Sequence, residues 1–339
     1  MKKRLFIGMI IAFLSNDGFS QAVGTPYFPF SLPKGLVMSK TGRIWMDKNL
    51  GAKRLATSAS DTLSFGYLFQ WGRPKDGHQE RYSAPFNSAN NSFLFYDSYF
   101  LGNPPVFPVD QFTAVSSDNP GHPYFIHLAP SSDPTFYQRG NSYSFYVSDW
   151  RNPQNGNLWQ GISGTNNPCP SGFRIPTIQE WQEEKMSWGN IDIILNSGFR
   201  SYLKLPSASI RNFNNSIIEG LIVPTSLPPV SNGISNLYYN NIDLISGNYW
   251  SSTISGPIVE YDLKDPIVSN RSIARTKYKA YSFNIVNYLE YDEFLEENVL
   301  TGTSANATLK EMGNGLSVRC ILDQNIRPNQ LTLGDYSKF

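Results

Sequence analysis

Apolar and polar residues alternate most cleanly near the end of the chain. There Leu316, Val318, Cys320 and Leu322 share one parity, and Ser317 and Arg319 share the other. A period of two is that of a strand with one buried face, so residues 316–322 are predicted as a single β-strand. Shorter strand-like pieces precede it at 42–47, 202–205, 248–253 and 280–285. Two stretches carry helical spacing instead. Ser60 and Asp61 stand before Leu63, Phe65, Leu68 and Phe69, which predicts a short amphipathic helix running out near Trp71 and Gly72. Pro176 opens the second, with Thr177 and Glu180 at capping-box spacing, where each side chain can satisfy an orphan backbone donor. Two short helices among scattered strands and long loops give an α+β class with small twisted antiparallel sheets.

Regularity is lost over residues 74–148, where Pro, Asn, Ser and aromatic residues dominate. A structureless stretch of that length is unusual inside a domain, and linkers rarely carry so many Phe and Tyr. It is read as an insertion packed by its own aromatics within a domain spanning 40–325. Residues 23–39, with Pro26, Pro29 and Pro33, form an extended lead-in, and 326–339 a frayed tail.

The first residues change the picture of where the chain works. Lys2, Lys3 and Arg4 precede an apolar run from Leu5 to Leu14, and small or polar residues follow to Ala22. That order is the pattern of a secretory signal covering 1–22 and cut near residues 21–22. The run is well short of the ~20 residues that a membrane span needs. The mature chain is expected to be exported, to the outer surface or the medium.

Composition agrees with that compartment. Only 16% of the 339 residues are charged, 14% are aromatic, and the formal net charge is +1. Long-range attraction to nucleic acid or an acidic membrane has no basis in such a chain. The two cysteines are Cys169 and Cys320. In an oxidising compartment an isolated pair favours a bridge, two buried thiols being the alternative. A bridge would close a loop of about 150 residues and stabilise the fold by up to ~5 kcal/mol on chain-entropy grounds.

Several stretches, in order, resemble one family. They are Gly42-Arg43-Ile44-Trp45-Met46-Asp47-Lys48-Asn49-Leu50-Gly51-Ala52, Gln70-Trp71-Gly72-Arg73 with Asp76-Gly77-His78, and Asn157-Leu158-Trp159-Gln160-Gly161. Next come Asn167-Pro168-Cys169-Pro170-Ser171-Gly172-Phe173-Arg174-Ile175-Pro176-Thr177-Ile178-Gln179-Glu180-Trp181 and Leu203-Lys204-Leu205-Pro206. Tyr249-Trp250-Ser251-Ser252-Thr253 and Gly315-Leu316-Ser317-Val318-Arg319-Cys320 close the series. They are similar to the FISUMP family, the major paralogous domain first described in Fibrobacter succinogenes. The resemblance covers most of residues 40–323. It implies a C-type-lectin-like, formylglycine-generating-enzyme-like fold, export, and a disulfide between Cys169 and Cys320. It does not imply an activity.

Candidate chemistry is sparse. Enzymes of this fold that generate formylglycine use reactive cysteines, and both cysteines here sit at the family's structural positions. His78, His122 and His127 are the only histidines, and the last two lack helical ligand spacing, so solvated loop histidines are expected. No Gly-x-Ser-x-Gly or phosphate-cradling glycine loop is present. Glu180, Glu183 and Glu184 form one carboxylate group, and Asp292, Glu293, Glu296 and Glu297 another. Either would suit glycoside cleavage, and either reads equally as a solvated face. The Glu-Pro-Asn, Gln-Pro-Asp and Trp-Asn-Asp triplets of calcium-dependent lectins are absent. Room is left for a structural calcium held by backbone carbonyls.

Recognition is the remaining expectation. Tyr238, Tyr239, Asn240 and Asn241 lie between two of the motifs, and Tyr288 and Tyr291 lie between another two. Tyr and Asn offer flat area and neutral hydrogen bonds at low entropic cost. These six are the candidate ligand-binding residues, with loop packing as the alternative. Trp45, Trp71, Trp159, Trp181 and Trp250 are expected in the core. The sequence thus points to an exported, non-enzymatic protein that binds a glycan or protein ligand. A secreted carbohydrate-active enzyme and a structural component of a surface assembly are the alternatives.

Overall fold

Hydrophobic side chains that point both ways from short strands build the centre of the protein. In the computed structural model, β1 (Leu36–Met38), β2 (Ile44–Met46), β4 (Phe173–Arg174) and β13 (Ile321–Leu322) form one antiparallel sheet in the order β1-β2-β13-β4. Ile44 and Met46 enter one buried cluster, with Phe69, Trp71, Trp150, Trp159, Trp250 and Cys320. Trp45 enters a second, with Trp181, Trp188, Tyr249, Phe283 and Ile321. At β2 and β13 the sheet therefore lies between two cores, while β1 at its edge is half-buried.

The structure describes residues 32–81, 115–123, 125–126, 149–189, 196–213, 218–219, 244–261, 274–292, 297–326, 331 and 336–339. All belong to one compact unit, Leu32–Phe339. A second antiparallel sheet runs β3-β12-β5-β6, from β3 (Phe69–Gln70), β5 (Ile210–Arg211), β6 (Ile218–Glu219) and β12 (Gly315–Leu316). A third, β11-β10-β7, has long strands: β7 (Leu244–Ile254), β10 (Ala280–Asp292) and β11 (Glu297–Lys310). A two-stranded ribbon joins β8 (Ile258–Tyr261) to β9 (Ala274–Lys277). With helices α1 (Ile178–Met186) and α2 (Ser197–Arg200), the class is α+β.

The predicted helix starting at Thr177 is present. Thr177 Oγ1 accepts from Glu180 N, and the Glu180 carboxylate accepts from Thr177 N at 2.8 Å. Gly189, with φ of +89°, lies just past the helix end, in the left-handed region that glycine enters at no steric cost. Trp181 stacks on Phe283 of β10 with ring centroids 5.0 Å apart, which fixes α1 on one face of the third sheet.

Other expectations are corrected. The helix expected from Ser60 to near Gly72 is a single 3-10 turn, Thr62–Ser64, capped by Asp61, and Phe69 belongs to a strand. Gly66 interrupts it: φ is +69°, and a Cβ there would meet Leu50 O at 2.4 Å. Residues 202–205 are not a strand, because Lys204 takes a positive φ of 49° and Leu203 N bonds back to Ser201 Oγ. Residues 316–322 are two strands in two sheets, since Ser317 and Arg319 are as buried as their apolar neighbours. Arg319 is satisfied there by Asn49 Oδ1, Met46 O, Asp47 O and Leu203 O.

The flanks are also more ordered than their composition implies. β1 forms within the lead-in. At the other end Tyr336 N donates to Lys34 O at 3.0 Å and its ring packs on Phe173. Within 74–148 described residues reach the core: Phe125 and Ile126 are buried, and Gln70 Nε2 donates to Ile126 O at 2.7 Å.

Candidate functional site

The cysteines are joined, Cys169 to Cys320, with Cα atoms 5.9 Å apart. The bridge ties the segment before β4 to the start of β13. Tryptophans lock the same region. Trp71, Trp150, Trp159, Trp181 and Trp250 each donate an indole N–H to a backbone carbonyl. All five are essentially fully buried, as is Trp45, so none offers a ligand platform.

Sequence reasoning missed one polar cluster. Arg73, Asp76 and His78 form a buried chain under β3. His78 Nδ1 meets Asp76 Oδ1 at 2.6 Å, while its Nε2 accepts from Gln70 N at 3.1 Å. Arg73 donates to Asp76 Oδ2 and Gln70 Oε1. Burial drives the His78 pKa down to about 3, helped by nearby Arg73 and Arg211, so the ring is neutral. Burial raises the Asp76 carboxyl, and His78 and Arg73 more than offset it. With both ring nitrogens engaged, His78 has no lone pair for a substrate proton. It is a structural histidine, not the solvated one expected. The spacing Arg73-x-x-Asp76-x-His78 was the available signal. His122 lends its carbonyl to Arg73, and His127 lies outside the described residues.

The α1 carboxylates are likewise committed to packing. Glu180 takes a double hydrogen bond from Arg174, each at 2.8 Å, and closes the capping box. Glu183 pairs with Arg43. Glu184 is buried and accepts from Trp188 Nε1 at 3.0 Å. In the second carboxylate group, Asp292 and Glu297 are opposite one another at the end of the β10–β11 ladder, and 293–296 lie outside the described residues. Asp149 is different. It is fully buried, and burial pushes its pKa up to about 7 against the backbone N–H groups of Arg151 and Trp150 and the Gln154 side chain.

Among the described residues, no group of three His, Cys, Asp or Glu is placed to hold a metal ion. No helix there is long and apolar enough to cross a membrane. Comparisons with protein-family models, curated proteins and solved structures find no match to this chain.

Of the six candidate ligand-binding residues, Tyr238, Tyr239, Asn240 and Asn241 lie outside the described residues. Tyr288 and Tyr291 are both on β10, separated by an odd step and by the bulge between Tyr288 and Leu289. Tyr288 is opposite Gly302 on β11 and Leu244 on β7. Tyr291 is opposite Asn298 on β11. Leu244 follows Asn241 by three residues. Tyr288 is the last residue of β10 with a described partner on β7.

Proposed function

We propose that this chain is an exported, non-enzymatic recognition protein that binds a glycan or protein ligand at the end of the third sheet marked by Leu244 and Tyr288. The observation that carries the reading is the pairing of those two residues. We infer that Tyr238–Asn241, which precede Leu244 in the sequence, act together with Tyr288 and Tyr291. Binding residues on segments set in a stiff scaffold are a common arrangement. Here the scaffold is the disulfide-clipped, tryptophan-filled body, in which His78 and the α1 carboxylates are committed to structural contacts. The motif resemblance to the FISUMP family supports a C-type-lectin-like arrangement, and the Lys2–Ala22 pattern supports export.

The test is a glycan array probed with the exported full chain, with and without a calcium chelator. Specific binding to neutral glycans is expected. Loss of that binding on chelation would bring a structural calcium into the site. Binding to no glycan would remove the carbohydrate half of the proposal and leave a protein ligand, to be sought by cross-linking on intact cells.

A further inference from the structure

Asn-Gly occurs three times in the chain, at Asn155-Gly156, Asn232-Gly233 and Asn314-Gly315. A glycine after asparagine puts no side chain in the way of its own backbone nitrogen, which can then attack the asparagine amide carbon. The second pair lies outside the described residues. The other two are held differently. Gly315 is buried, opens β12, and pairs with Gln70 on one side and Arg211 on the other. Asn314 Oδ1 accepts from Phe213 N at 2.8 Å. A peptide fixed in a ladder cannot swing onto that side chain.

Asn155-Gly156 is in a loop instead. Asn155 Oδ1 accepts from Asn157 N at 3.0 Å, the turn in which an asparagine side chain folds over the next peptide. That brings Cγ toward Gly156 N, which donates to no acceptor among the described residues. Asn155 Nδ2 donates to Asp118 Oδ1 at 3.1 Å, so both ends of the amide are oriented. Asn155 and Gly156 are half-buried and Asn157 is exposed, so water reaches the turn.

We propose that Asn155 is a self-modification site, converted by its own chain to aspartate and isoaspartate. Gly156 N gives up its proton and bonds to Asn155 Cγ. The Cγ–Nδ2 bond breaks, and the nitrogen leaves with that proton as ammonia. Negative charge develops on Oδ1 as the new bond forms, where Asn157 N–H already donates. Water then opens the five-membered imide at either carbonyl carbon, and nothing is oxidised or reduced. The product acts on the segment at 115–123. Asp118 Oδ1 takes Arg151 Nε at 2.6 Å as well as Asn155 Nδ2, and Asp118 O takes Asn166 Nδ2 at 2.6 Å. A carboxylate at position 155 removes one donor and sets like charge against Asp118, which loosens that grip.

The test is to hold the full exported chain for weeks in warm neutral buffer and follow its proteolytic peptides by mass spectrometry. The peptide with Asn155 should gain about 1 Da, as a mixture of aspartate and isoaspartate, at least tenfold faster than the peptide with Asn314. Gly156→Ala should slow that gain at least tenfold; the added Cβ meets Ile254 Cδ1, the end of a flexible side chain. Asn155→Asp should speed amide hydrogen exchange over 115–123 and leave α1 unchanged. If Gly156→Ala does not fold, the comparison of Asn155 with Asn314 in the unmodified chain decides. Asn155 staying intact, or converting no faster than Asn314, overturns the proposal, and unchanged exchange over 115–123 overturns the effect assigned to Asp118.

Discussion

The body of the protein and its β7–β10–β11 sheet are held together in opposite ways. In the body, strands are two or three residues long and their ladders contribute few hydrogen bonds. Side chains packed on both faces, the indole-to-carbonyl bonds, Arg319 and the disulfide hold it. In the third sheet the strands run 11 to 14 residues, and the backbone ladder itself gives the continuity. Among the described side chains, Trp250 and Ala280 pack on one face of it and Tyr249, Phe283 and Ile285 on the other. Stability should therefore be concentrated in the body.

Changes in the body should break this contrast most severely. Trp181→Ala removes the ring stacked between Phe283 and Trp45 and should cost about 4 kcal/mol, read by chemical denaturation. Replacing both Cys169 and Cys320 by Ser should cost about 3 kcal/mol, with a matching fall in denaturation midpoint under oxidising conditions.

Asp149→Asn should act in the other direction and with a pH signature. The folded-state pKa of about 7 lies above the ordinary 3.8, so between these values the folded chain holds a proton that the unfolded chain releases. Its contribution is full below pH 4 and is lost as pH rises toward 7. Asn removes the charge, so the variant should gain about 1–2 kcal/mol at pH 8 and nothing at pH 4. Buried His78 runs the opposite way. Its folded pKa is depressed, so its contribution is present above pH 6.5 and is lost as pH falls toward 3. The smallest effect belongs to the sheet edge: Asn306→Ala, at an exposed position, should change stability by less than about 0.5 kcal/mol.

Legibility in the sequence followed the same division. The capping box of α1 was readable because its signal is local: two residues three apart, each satisfying a backbone donor of the other. The strands at Asn248 and Ala280 were readable because long ladders leave a long pattern. What failed was any inference from one-sided alternation inside the body. Ser317 and Arg319 look like a solvent face, yet a second core lies on their side and the arginine is paid for by four oxygen acceptors. The helix expected at Ser60 failed because Gly66 turns the chain under Leu50, a tertiary contact that spacing does not carry. For the candidate site, the sequence picked out Tyr238–Asn241 and Tyr288 as separate variable stretches. The Leu244–Tyr288 register, which the site reading uses, is carried by the fold alone.

The central claim, that recognition lies at the far end of the sheet and stability in the body, is tested most directly by one double variant. Tyr238→Ala with Tyr239→Ala should be measured for ligand binding and thermal unfolding in the same preparation. The account predicts binding reduced at least tenfold with the unfolding midpoint within a few degrees of the parent. Binding unchanged in a folded variant would contradict it and place recognition elsewhere on the protein.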